Sequence, residues 1–146
     1  MSAGPHRRRE SRSTSTLAAQ SEPPLTHREE AMFVLMILND APYGIERVYN
    51  GLRLAGSLAR KGVPLRLFLM GDAAVAAKAG QKVPQGYYSV EGMVSAVVRH
   101  GGEVAVCGTC LDARGIGESE LMAGARRGTL DELTVWVVEA GKVLTF

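Results

Sequence analysis

Cysteine and histidine are both scarce in this sequence, and each shortage excludes a class of chemistry. Two cysteines in 146 residues, Cys107 and Cys110, are too few for the disulfide framework of a small secreted domain. A zinc ribbon needs a second ligand pair, and the chain has none, so no metal or other cofactor is expected. Of the three histidines, His6 and His27 lie in the first 31 residues. His100 closes a helix that leads into a strand, which puts it at the far edge from the cysteines. No imidazole is placed as a general base, which argues against a cysteine hydrolase of the Cys–His kind. No apolar run approaches the roughly 18 residues of a membrane helix. The formal charge is only +2, from 17 basic and 15 acidic residues, too small an excess to imply nucleic acid. The expectation is one domain with neither nucleic acid nor membrane as a partner, in a reducing, cytoplasmic compartment. There the two thiols need another explanation.

Residues 1–31 read differently from the rest. They hold Arg7, Arg8, Arg9, Arg12, a Ser/Thr cluster and Pro23-Pro24, with no apolar period that could offset the entropy of ordering them. A disordered N-terminal tail is expected, followed by one domain over 32–146. Glu10, Glu22, Glu29 and Glu30 argue against an organelle transit peptide, and no apolar stretch follows the arginines as a secretion signal requires. The tail takes five of the basic and four of the acidic residues, leaving the domain nearly neutral.

From Met32 the pattern alternates in type. Residues 32–38 are a continuous apolar run, as a strand buried on both faces reads, and 65–70 and 103–106 read as two further strands. Between them, Ile45 to Lys61 has a helical period. Glu46, Asn50, Arg53, Ser57 and Arg60 make its wet face, and Ile45, Val48, Tyr49, Leu52, Ala55 and Ala59 its buried one. Residues 73–79 favour a short helix, and 81–88, with Pro84 and Gly86, a loop. Ser89 caps a helix over 90–100. Thr129 and Glu132 form a capping box for a helix to Ala140, followed by a last strand. A helical turn near Glu118–Leu121 and a short strand near Ala125 lie between. This alternation predicts an α/β fold, a three-layer α/β/α sandwich around a mainly parallel sheet of about five strands.

In such sheets ligands bind beyond the carboxyl ends of the strands. That edge collects Asp40, Asp72 and Cys107, each just after a strand. Main-chain N–H groups after Cys107 lower a thiol's pKa, and Gly108 lets a ligand approach the backbone. Cys110, one turn later, points back toward Cys107. The alternative is that both cysteines are small apolar packing residues. Without a base, a reaction that needs only a thiolate suits the site: thiol–disulfide exchange, or carriage of sulfane sulfur as a persulfide. The 81–88 loop is expected to cover this pocket. Helix 130–140 carries Leu130, Leu133, Val135, Trp136, Val137 and Val138, more apolar surface than one buried face requires, which predicts association between subunits.

Several segments together carry a family resemblance. They are Leu38-Asn39-Asp40-Ala41-Pro42-Tyr43-Gly44 with Leu52-Arg53-Leu54-Ala55, Met70-Gly71-Asp72, Cys107-Gly108-Thr109-Cys110-Leu111-Asp112-Ala113-Arg114-Gly115, and the final Val143-Leu144-Thr145-Phe146. On these, residues 32–146 resemble the DsrE/DsrF-like family of small sulfur-relay proteins, especially its YchN-like branch. The resemblance implies an α/β/α fold, trimers or hexamers of one chain, and sulfur donor and acceptor proteins as partners. It makes Cys107 the persulfide acceptor, at the family's distance from Arg114-Gly115, with Asp40, Tyr43, Asp72, Gly108 and Arg114 as candidate substrate contacts. Cys110 stands where relay members carry another residue. It is the candidate resolving thiol.

Overall fold

The computed structural model describes Met1 and residues 32–146; the expected tail, 2–31, lies outside the described residues. Five strands and four α-helices follow in the order β1 (Val34–Leu38), α1 (Glu46–Arg60), β2 (Leu65–Leu69), α2 (Val90–Arg99), β3 (Glu103–Cys107), α3 (Gly108–Asp112), β4 (Ala125–Gly128), α4 (Leu130–Glu139) and β5 (Lys142–Thr145). Two 3-10 segments, Gly71–Ala77 and Glu118–Glu120, punctuate them. The strands form one sheet in the order β4-β3-β2-β1-β5, and every neighbouring pair is parallel.

The three central strands, β1, β2 and β3, are buried on both faces, and the period of two sorts their side chains between two cores. Val34, Met36, Leu38, Leu67, Leu69, Val104 and Val106 join Val48, Leu52, Val94 and Val97 of α1 and α2. Leu35, Phe68 and Ala105 face the other way and meet Leu133 and Trp136 of α4. The result is the expected three-layer sandwich, with two helices on one face and α4 alone on the other.

Some local expectations change. Ile45 is exposed, because it is the extended residue that precedes α1 rather than part of its buried face. The short helix after β2 winds as a 3-10 segment. The Ser89 hydroxyl caps α2 by accepting from the Gly92 N–H. Thr129 likewise accepts from the Glu132 N–H, but the box does not close. The Glu132 carboxylate turns instead to Arg126, which also bonds Glu103. Hydrogen bonds between a guanidinium and a carboxylate are charge-assisted and among the stronger ones.

Candidate functional site

The first three strands end side by side, and their carboxyl ends supply the site. Cys107 is the last residue of β3 and continues the parity of Ala105, so it packs toward the α4 face. The chain then turns at once into α3, one short helical turn. That turn carries Cys110 to the opposite side of the sheet edge, against the α1/α2 core. Both thiols are free and half-buried.

The two sulfurs have different surroundings. Cys107 Sγ caps α3 and accepts from the Cys110 N–H at 3.4 Å, and the Thr109 hydroxyl lies 3.3 Å from it. Burial works against ionising Cys107. The Cys110 side chain, the Thr109 hydroxyl and the N–H groups of both residues outweigh it and hold the thiol below its ordinary value. A thiolate is stabilised by such donors because its charge is spread into fixed dipoles. Burial and the neighbouring Cys107 push Cys110 the other way, offset only in part by the Gly71 N–H and the Arg114 charge.

Gly71 has a left-handed backbone (φ 57°), and a Cβ there would stand 3.1 Å from the Asn39 carbonyl oxygen. Glycine permits this turn, which aims the Gly71 N–H at Cys110 Sγ, 3.2 Å away. Arg114 completes the support on this side. It donates to the Cys110 carbonyl at 3.0 Å and pairs with Asp72.

On the α4 side, a pocket of about 360 Å3 opens beside Cys107, lined by Phe68, Met70, Thr109, Cys110, Arg127, Thr129 and Leu130 among others. Arg127 comes from β4, where Gly128 pairs with Cys107. Its guanidinium lies on the backbone of Gly108, so close that a Cβ would meet Nε at 2.6 Å. Asp112 grips it from the end of α3 with two hydrogen bonds, at 2.8 and 2.6 Å. The space above Gly108 therefore seats this arginine. Neither Arg127 nor Asp112 stands out in the sequence, because their meeting depends on the β3–β4 pairing.

Cys107, Cys110, Asp72, Gly108 and Arg114 thus stand together, and Asp40 and Tyr43 stand apart from them. Asp40 pairs with Arg47 at the start of α1. The Tyr43 hydroxyl donates to Gln81 Oε1 at 2.7 Å and accepts from the Val90 N–H at 2.9 Å. Tyr43 also stacks on Tyr88 and, with Val83, Pro84 and Tyr87, walls a separate pocket of about 290 Å3. The 81–88 loop therefore does not line the thiol pocket, contrary to the expectation from sequence. The Tyr43 hydroxyl and the Glu91 carboxylate, which takes the N–H groups of Gly80 and Gln81, tie its start to α2.

The model of the DsrE/DsrF-like family matches residues 32–146, the whole of the described domain. The chain belongs to the DsrE/DsrF-like family. Among its relatives is Protein YchN of Escherichia coli (strain K12), 43% identical over 115 residues that cover 77% of this chain and 97% of that protein. An uncharacterized protein of Methanopyrus kandleri, MK0008, is 32% identical over 113 residues, covering 77% and 93% respectively. The crystal structure of the E. coli ychN protein superposes with a TM-score of 0.75 at 42% identity, over 79% of this chain and 99% of that one. MTH1491 of Methanobacterium thermoautotrophicum, a protein of unknown function, shares the fold at 13% identity, with a TM-score of 0.64 over 79% and 99%. In this DsrE/DsrF-like protein no described helix is long and apolar enough to cross a membrane. The described residues likewise contain no cluster of three or more His, Cys, Asp or Glu suited to a metal.

Proposed function

We propose that this protein carries sulfane sulfur as a persulfide on Cys107, with Cys110 as the resolving thiol. Its family is associated with sulfur relay. The observation that carries the reading is the asymmetry of the two thiols. Cys107 faces an open pocket and is held toward the thiolate by donors on its sulfur, whereas Cys110 is held toward the thiol.

A thiolate is the nucleophile that attacks a sulfane sulfur, and a thiol kept protonated beside it does not compete for the first step. Once Cys107 bears a persulfide, Cys110 is one helical turn away, and its attack on the Cys107 sulfur would release the outer sulfur as hydrosulfide and leave a disulfide. Transfer to an acceptor protein instead returns Cys107 to the thiolate. Asp72 and Arg114 hold the Cys110 turn in place, and Asp40 and Tyr43 take no part. The nearness of the two sulfurs also favours a second reading, a dithiol redox couple without sulfur carriage.

Incubation with a sulfane sulfur donor followed by peptide mass analysis separates the readings. A carrier gains a sulfur atom on the Cys107 peptide, Cys107→Ser abolishes the gain, and Cys110→Ser keeps it while losing the internal disulfide. A redox couple forms the disulfide and never gains sulfur. Packing cysteines do neither in the folded protein.

A further inference from the structure

The pocket beside Cys107 is far larger than the sulfur it would receive. Its volume of about 360 Å3 is on the order of ten times the share of one water molecule. It falls within the roughly 300–1,000 Å3 of small-molecule sites. Phe68, Met70 and Leu130 give it mainly apolar walls. Arg127 is the cation among its lining side chains, and both terminal nitrogens of that guanidinium are already bound to Asp112. Its Nε is turned to Gly108. On the other side of the thiols Arg114 is engaged with Asp72. An anion entering here sheds water against apolar walls, and among the described residues both guanidinium groups at the thiols are already neutralised by carboxylates. That combination disfavours a small, strongly hydrated oxoanion.

Resting on the persulfide reading above, we infer that the donor for Cys107 is a small organic hydropersulfide, R–S–SH, whose apolar group R fills this pocket. The Cys107 thiolate attacks the outer sulfur. A new S–S bond forms to Cys107, the old S–S bond breaks, and RS⁻ leaves with its electron pair. The proton stays on the transferred sulfur, so Cys107 ends as Cys–S–SH and the charge balances without an added oxidant or reductant. Apolar burial of R supplies the recognition that a charged donor would need a free cation to obtain.

The test uses the full, reduced chain and three donors: benzyl hydropersulfide, glutathione hydropersulfide and thiosulfate. Each rate of sulfur gain on the Cys107 peptide is divided by the rate at which the same donor sulfurates N-acetylcysteine, at equal thiolate concentration. The normalised benzyl rate should exceed the other two by about tenfold or more, the scale on which apolar pockets discriminate. Leu130→Lys, a change at an exposed pocket residue, should lower that preference and raise the thiosulfate rate. A normalised benzyl rate equal to or below either of the others, or no greater than that of N-acetylcysteine itself, overturns the donor class and leaves the persulfide reading standing. If none of the three loads Cys107, both fall.

Discussion

The main-chain N–H of Cys110 points at the sulfur of Cys107 from 3.4 Å, while the sulfur of Cys110 itself receives the N–H of Gly71 at 3.2 Å. One residue of the pair therefore stabilises the ionised form of the other. The shifts are opposite in sign, Cys107 below and Cys110 above the ordinary thiol value. Alkylation by iodoacetamide follows the thiolate fraction. Its rate at Cys107 should reach half-maximum at a lower pH than that of a free thiol, and its rate at Cys110 at a higher pH. Site-resolved peptide mass analysis of the reduced wild-type chain from about pH 5 to pH 11 reads both. Thr109→Ala should move the Cys107 midpoint upward and Thr109→Ser should restore it, since the hydroxyl and not the methyl lies at the sulfur. A faster Cys110 would reverse the roles.

Gly71→Ala tests the turn that reaches Cys110. A Cβ at φ 57° meets the Asn39 carbonyl oxygen at 3.1 Å, and a left-handed non-glycine residue costs about 1–2 kcal/mol on its own. The urea midpoint should fall accordingly. Because the Gly71 N–H lowers the Cys110 pKa, displacing it should also raise the Cys110 midpoint while leaving Cys107 alkylation in place. An unchanged midpoint in urea would show that the turn relaxes freely.

Acid stability should report the Arg126 network. Arg126 holds the Glu132 carboxyl below its ordinary range, with burial opposing. A folded-state pKa that is depressed contributes stability above the unfolded value, about 4.3 for glutamate, and loses it as the pH falls through the folded one. Stability should therefore decline as the pH falls below about 4.3, and Arg126→Met should flatten that decline. At neutral pH the same variant should cost on the order of 1 kcal/mol, because solvent screens a guanidinium that is still partly exposed. Urea titrations at several pH values measure both effects.

Helix α4 predicts assembly. Val138 is 81% exposed, and Val135 and Val137 of α4 and Val143 of β5 add to the same unburied surface. That much apolar area on one region favours contact with another copy. Light scattering should give a mass well above one chain at micromolar concentration, and Val138→Asp should shift it toward the monomer. A wild-type monomer under those conditions would overturn assembly through this face.

The fold was largely legible because its strands are apolar runs and its helices keep their period. β4 was harder. Ala125-Arg126-Arg127-Gly128 has no alternation of apolar residues, and it becomes a strand because the edge of β3 offers a ladder to pair with. The arginines' own partners lie elsewhere in the chain, on Glu103, Asp112 and Glu132. Pro84 and Gly86 make 81–88 a loop from sequence alone, but it packs beside Tyr43 rather than over the thiol pocket. Its anchor is the hydroxyl of Tyr43, 38 residues away from Gln81, and no local signal announces a contact of that range.

The sequence by itself determined the order and kind of the elements, the carboxyl edge as the place of Asp72 and Cys107, and the one-turn spacing of the two thiols. These are properties of the chain's period, the alternation of apolar side chains in a strand and the turn length of a helix. Only the tertiary structure decided which strand lies beside Cys107, that Arg127 occupies the space over Gly108 in the grip of Asp112, and that Gly71 serves Cys110. A side-chain pattern specifies which face is buried, but not which distant group will meet it. The parallel pairing of β3 with β2 and β4 makes those meetings, and with them the pocket at Cys107.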